Sequence, residues 1–101
     1  MPRPVTVNYR VLPTPAATAR AAAQLFLDAA VKAAAARGVA RIAISGGTTP
    51  KSMFQLLADP AEPFLKLVPW DRIELYWVDE RCVPPDNAES NYRMTKEALL
   101  S

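Results

Sequence analysis

The sequence predicts an α/β fold with a mainly parallel sheet, in the order β-α-β-α-β-α, and three observations carry that prediction. Segments with strand-like and helix-like spacing alternate along the chain, the pattern of βαβ units. One strand-like run is almost wholly apolar, as strands buried on both faces of a parallel sheet are. That run leads directly through a double glycine into helical spacing.

Each element has its own signal. Val5, Val7, Tyr9 and Val11 alternate with Thr6, Asn8 and Arg10, a period of two that reads as a half-buried strand ended by Pro13. Thr14-Pro15 then supplies an N-cap and a proline at the first helical position. The Ala-rich run to Arg37 is a strong helix former, with Leu25, Phe26, Ala29, Ala30 and Ala33 as its apolar face and Gly38 just beyond its end. Residues 39–44 form the buried strand. Met53, Phe54, Leu56 and Leu57 space as a helix, which Asp59-Pro60 and Glu62-Pro63 break. Residues 64–68 read as a turn of helix packing inward. Residues 73–78 are the third strand, 83–87 a loop, and 88–100 a last helix capped by Asp86 or Asn87. Three strands leave raw sheet edges, which predict self-association.

Composition excludes several classes. Half of the 101 residues are hydrophobic, so this is one soluble domain's worth of chain. Twelve basic residues against ten acidic give a net charge of +2 with no dense basic run, which offers no footprint for nucleic acid. The start has no apolar leader, and Arg20, Gln24, Asp28 and Lys32 interrupt the Ala-rich stretch, so no membrane partner is expected and the cytoplasm is the expected compartment. The one cysteine, Cys82, has no partner for a disulfide and no histidine to activate it. It reads as a small buried hydrophobe. The absence of histidine also speaks against a metal site.

Three segments can carry chemistry. Ser45-Gly46-Gly47-Thr48-Thr49-Pro50 joins a buried strand to a helix. Its glycines permit a tight turn and close approach to a ligand, Thr49 can cap the helix, and free amides with the helix dipole favour an anion. The plain alternative is an ordinary capped turn. The segment is neither a Walker loop nor a dinucleotide fingerprint. Asp79-Glu80-Arg81 lies at the carboxyl end of a strand, where ligands bind in open parallel sheets. Arg81 suits phosphate, and Asp79 suits a sugar hydroxyl or a proton. The plain alternative is a surface ion-pair cluster. Glu89-Ser90-Asn91-Tyr92 reads first as a helix start. Trp70, Tyr76 and Trp77 read as core packing rather than pocket lining.

Taken together, residues 42–50 and 70–92 resemble the 6-phosphogluconolactonase family. The likeness rests on Ser45-Gly46-Gly47-Thr48-Thr49-Pro50, on Asp79-Glu80-Arg81-Cys82-Val83-Pro84 and on Glu89-Ser90-Asn91-Tyr92, in that order. The resemblance implies a three-layer Rossmann-like sandwich, of which residues 1–101 would be the N-terminal part of a single domain, with the C-terminal part absent. It implies hydrolysis of 6-phosphoglucono-δ-lactone to 6-phosphogluconate in the oxidative pentose phosphate pathway, with a phosphorylated sugar lactone as partner and neither metal nor cofactor. The family's catalytic histidine lies in a later segment, so no catalytic residue is expected within this chain, which alone should be inactive. The same resemblance makes Ser45, Gly46, Gly47, Thr48, Asp79 and Arg81 substrate-binding. Two alternatives stand beside it: a glucosamine-6-phosphate deaminase/isomerase, whose pattern favours Asp-Glu-Tyr where this chain has Asp79-Glu80-Arg81, and a non-catalytic sugar-phosphate-binding module.

Overall fold

The computed structural model describes residues 4–100, so most of the start that was read for a leader lies outside it. The chain begins its regular structure with α1, Pro15–Arg37. Thr14 Oγ1 accepts from the Ala17 amide at 3.0 Å, and Gly38, at φ 78°, donates its amide to the Ala34 carbonyl at 2.8 Å. Both ends are thus stopped as the sequence expects. The buried face is shifted from the expected one. Ala19, Ala23, Phe26, Leu27 and Ala30 are buried, while Leu25 is 55% exposed and Ala29 is also exposed. The stripe at i, i+4, i+7, i+8 and i+11 is the one that meets the rest of the core.

Two strands follow, β1 at Ala40–Ile44 and β2 at Ile73–Trp77. They pair in parallel, with Ala40 opposite Ile73 and Ile44 opposite Trp77. Between them lie α2, Thr48–Ala58, the short α3, Phe64–Leu67, and a 3-10 turn at Trp70–Arg72 that feeds β2. Residues 64–68 do pack inward, with Phe64 and Val68 buried. The last helix starts later than the expected residue 88. Its first part, α4, is Asn91–Thr95, and a π-helical turn continues it over Lys96–Leu100. Ser90 caps it, rather than Asp86 or Asn87, because Ser90 Oγ accepts from the Arg93 amide at 3.2 Å.

Alternation decides which strand residues face the core. Ile42 and Ile44 with Ile73, Leu75 and Trp77 pack on one face against Phe26, Leu27, Phe54, Leu57, Phe64, Val68 and Leu99. Phe54 and Leu57 are fully buried there. On the opposite face, Arg41 pairs with Glu74 at 3.1 Å and the Tyr76 hydroxyl donates to Glu74 at 2.9 Å, all exposed. Among the described residues this face carries no helix, so two of the three expected layers are present. Trp70 and Trp77 join the core as expected, whereas Tyr76 lies on the open face, 50% exposed.

Two further expectations are corrected. Residues 5–11 form no strand, and Val5, Tyr9 and Val11 are 85%, 85% and 93% exposed. Alternation makes a segment fit for a sheet, but a strand exists only when another strand takes its hydrogen bonds. Cys82 is exposed rather than buried, since it lies in the loop after β2, none of whose residues joins the core cluster.

Candidate functional site

Parallel pairing has a direct consequence for the site. Both strands finish at the same, carboxyl end of the sheet, and the Val78 amide donates to the Ile44 carbonyl at 2.8 Å to extend the ladder to that end. The glycine turn leaves β1 there, and Asp79-Glu80-Arg81 leaves β2 beside it. The two segments that sequence reasoning placed at strand ends therefore adjoin.

The glycine turn is sharper than expected. α2 begins at Thr48 with Gly47 as its N-cap, so Thr49 lies inside the helix and is not the cap. Gly47 has φ 116° and ψ 175°, a region open essentially to glycine alone. No side chain caps this helix, which leaves amide donors of its first turn without a side-chain acceptor. Gly46 is needed for a different reason. A Cβ there would collide with the side-chain amide of Asn91.

A cleft of about 380 Å³ opens beside the turn, lined by Gly47, Thr48, Lys51, Arg81, Asn91 and Met94 among others. Gly47, Thr48 and Arg81 are thus brought together. Arg81 makes no ion pair with Asp79 or Glu80, so these three residues are not a surface ion-pair cluster. Asp79 does not line the cleft. Its carbonyl and carboxylate oxygens accept from Asn91 Nδ2 at 3.2 and 3.4 Å, and the arginine is not its partner. Ser45 is not in the cleft. Its hydroxyl donates to the Gly46 carbonyl at 3.3 Å, and it lines a separate apolar hollow between α1, β1 and the start of α2.

Glu80 is the most heavily hydrogen-bonded group of the region. Its Oε1 accepts from the amides of Arg81 at 2.8 Å and Asn91 at 2.6 Å. Its Oε2 accepts from the Tyr92 amide and the Ser90 hydroxyl, each at 2.9 Å. The backbone donors of Tyr92, Arg81 and Asn91, with help from Ser90, pull the Glu80 carboxyl down to about 2. β2 is held to α4 from within as well. Trp77 Nε1 donates to Thr95 Oγ1 at 3.1 Å, and the Trp77 and Tyr92 rings meet edge-on at 5.4 Å.

Sequence reasoning missed Lys51 and the structural part played by Glu80 and Asn91. Lys51 had a readable signal, since it follows Pro50 in the first turn of a helix already marked for anions. The contact of Asn91 with Gly46 spans residues far apart in sequence and had none. Among the described residues, no group of three or more His, Cys, Asp or Glu side chains could hold a metal ion.

Fold and site together define an α/β protein in which a glycine turn and an arginine face one cleft at the carboxyl ends of parallel strands. Residues 13–101 match the family of glucosamine-6-phosphate isomerases/6-phosphogluconolactonase, and the chain belongs to that family. A 6-phosphogluconolactonase of Rhizobium meliloti is 36% identical over 96 residues, covering 95% of this chain and 39% of that protein. One from Treponema pallidum is 46% identical over 59 residues, 58% of this chain and 23% of its own length. The crystal structure of a 6-phosphogluconolactonase from Shewanella baltica superposes with a TM-score of 0.76 at 33% identity, covering 89% of this chain and 36% of that one. The chain therefore spans well under half the length of these relatives.

Proposed function

We propose that this chain supplies the sugar-phosphate-holding part of a 6-phosphogluconolactonase, and that the complete protein hydrolyses 6-phosphoglucono-δ-lactone to 6-phosphogluconate. The observation that carries the reading is the shared cleft, in which the glycine turn and Arg81 meet at the ends of β1 and β2. Amide donors at a helix start, a threonine hydroxyl and two cationic side chains, Arg81 and Lys51, are the chemistry an anionic sugar derivative needs. Relatives named as 6-phosphogluconolactonases supply the reaction.

In this reading residues 1–101 are the N-terminal part of one three-layer sandwich. The open face bearing Arg41, Glu74 and Tyr76 is the surface that the remaining layer covers. Gly46, Gly47 and Thr48 hold the substrate through backbone and hydroxyl groups, and Arg81 takes its anionic group. Asp79 acts through Asn91, and Ser45 supports the turn from outside the cleft. Water attacks the lactone carbonyl with help from a base. The family resemblance makes that base a histidine, and the chain holds none, so in this reading the base belongs to the rest of the protein. The reading places the reaction in the cytoplasm, although rice relatives have names that mark them as chloroplastic.

The test is lactone hydrolysis by this chain beside the full-length protein, corrected for spontaneous opening. Activity is expected only in the longer protein. There Arg81→Ala should lower kcat/KM roughly ten- to hundredfold, since a hydrogen bond to a charged group contributes about 1.5–3 kcal/mol. An unchanged kcat/KM removes Arg81 from the substrate. Release of ammonia from glucosamine 6-phosphate would instead make the protein a deaminase.

A further inference from the structure

We propose that Glu80 is a positioning residue that fixes Arg81 at the cleft by tying the backbone of the Arg81 loop to the start of α4. The inference rests on the reading of Arg81 as a substrate contact. Arg81 itself is exposed, stands in a loop and has no ion-pair partner among the described residues, so nothing on its guanidinium sets its place. Its backbone is the part that is held.

One carboxylate does the holding, and it uses both oxygens. Oε1 accepts from the amides of Arg81 and Asn91, and Oε2 from the Tyr92 amide and the Ser90 hydroxyl. The loop that leaves β2 and the start of α4 are therefore joined through a single side chain across ten to twelve residues of sequence. The geometry reaches the cleft on two sides. Arg81 lines one wall, and Asn91, whose amide Glu80 holds, lines another while it presses on Gly46. Ser90 is nearly fully buried, so this junction is packed and is not a loose surface contact.

Glutamine at position 80 has nearly the same shape but only one acceptor oxygen. Either orientation of its amide faces an NH2 group toward two donors, so half of the junction is lost. A group displaced by about 1 Å from its working position costs on the order of a hundredfold in rate.

The experiment is a double-mutant cycle on the full-length protein, with 6-phosphoglucono-δ-lactone as substrate and Glu80→Gln and Arg81→Ala as the two changes. Glu80→Gln should lower kcat/KM roughly ten- to hundredfold with the melting transition still cooperative. In the Arg81→Ala background the same change should have a clearly smaller effect, because the guanidinium it places is gone and only the Asn91 side of the junction is left to disturb. Multiplicative losses would overturn the positioning role while leaving Arg81 as a substrate contact. No loss from Arg81→Ala alone would instead refute the reading of Arg81. Should Glu80→Gln fail to fold, Ser90→Ala removes one of the four donors and enters the same cycle, with a smaller loss expected in the same direction. Equal losses from Ser90→Ala with and without Arg81 would again overturn the proposal.

Discussion

Single residues show how narrowly the turn is specified. Gly47 is required by its own backbone angle, Gly46 by a neighbour distant in sequence. Asn91 cannot simply withdraw from an added methyl group, because its Nδ2 is engaged with Asp79. Gly46→Ala should therefore destabilise the protein by about 1–3 kcal/mol, the usual cost of overpacking. Denaturant unfolding measures it. Adding Asn91→Ala should recover part of the loss, since it removes the atoms that collide. If Gly46→Ala unfolds like the parent, the close approach of these residues is wrong. The double glycine was legible in the sequence as a turn. The reason for the first of the two was not, because it depends on a side chain brought in by α4.

The connection between elements depends on charge. Backbone amides hold the Glu80 carboxyl at about 2, below its ordinary 4.5, so the folded state keeps it ionised where the unfolded chain has begun to protonate it. The stability this junction contributes is therefore fully present above the ordinary value. It declines as the pH drops below that value and is gone once the pH falls through about 2. Glu62, Glu74 and Glu97 are shifted the same way by their own partners, so acid weakens the whole protein. The share due to Glu80 is the difference from Glu80→Gln. The stability gap between parent and variant in urea should narrow between about pH 6 and about pH 3. A gap independent of pH would mean that the carboxylate charge does not hold β2 to α4. α1 stands at the other extreme, since its cap, its proline and its closing glycine are all local signals. They gave both of its ends correctly, while its buried face had to await the partners it packs against.

At the scale of the whole molecule, the described residues form a sheet that is finished on one side only. β1 and β2 pair with each other, their outer edges have no strand partner among the described residues, and one face carries only Arg41, Glu74, Tyr76 and their neighbours. Val5, Val7, Tyr9 and Val11 are exposed as well, apolar and alternating. Unpaired edges and exposed β-prone segments associate readily. The chain should show concentration-dependent self-association in light scattering. A monodisperse monomer at high concentration would refute this.

The sequence by itself determined the α/β class, the capped first helix, the two strands that formed and the two motifs at their ends. These follow from local propensity, periodicity and the residues that start and stop elements. Only the tertiary structure decided that residues 5–11 stay unpaired, that Cys82 faces solvent, that Ser90 caps α4, and that Asp79 answers to Asn91 rather than to Arg81. It also brought Lys51 into the cleft and gave Glu80 its four donors. Each of these outcomes depends on which distant group arrives to pair or to pack, and a hydrogen bond or a buried surface exists only when both partners are in place.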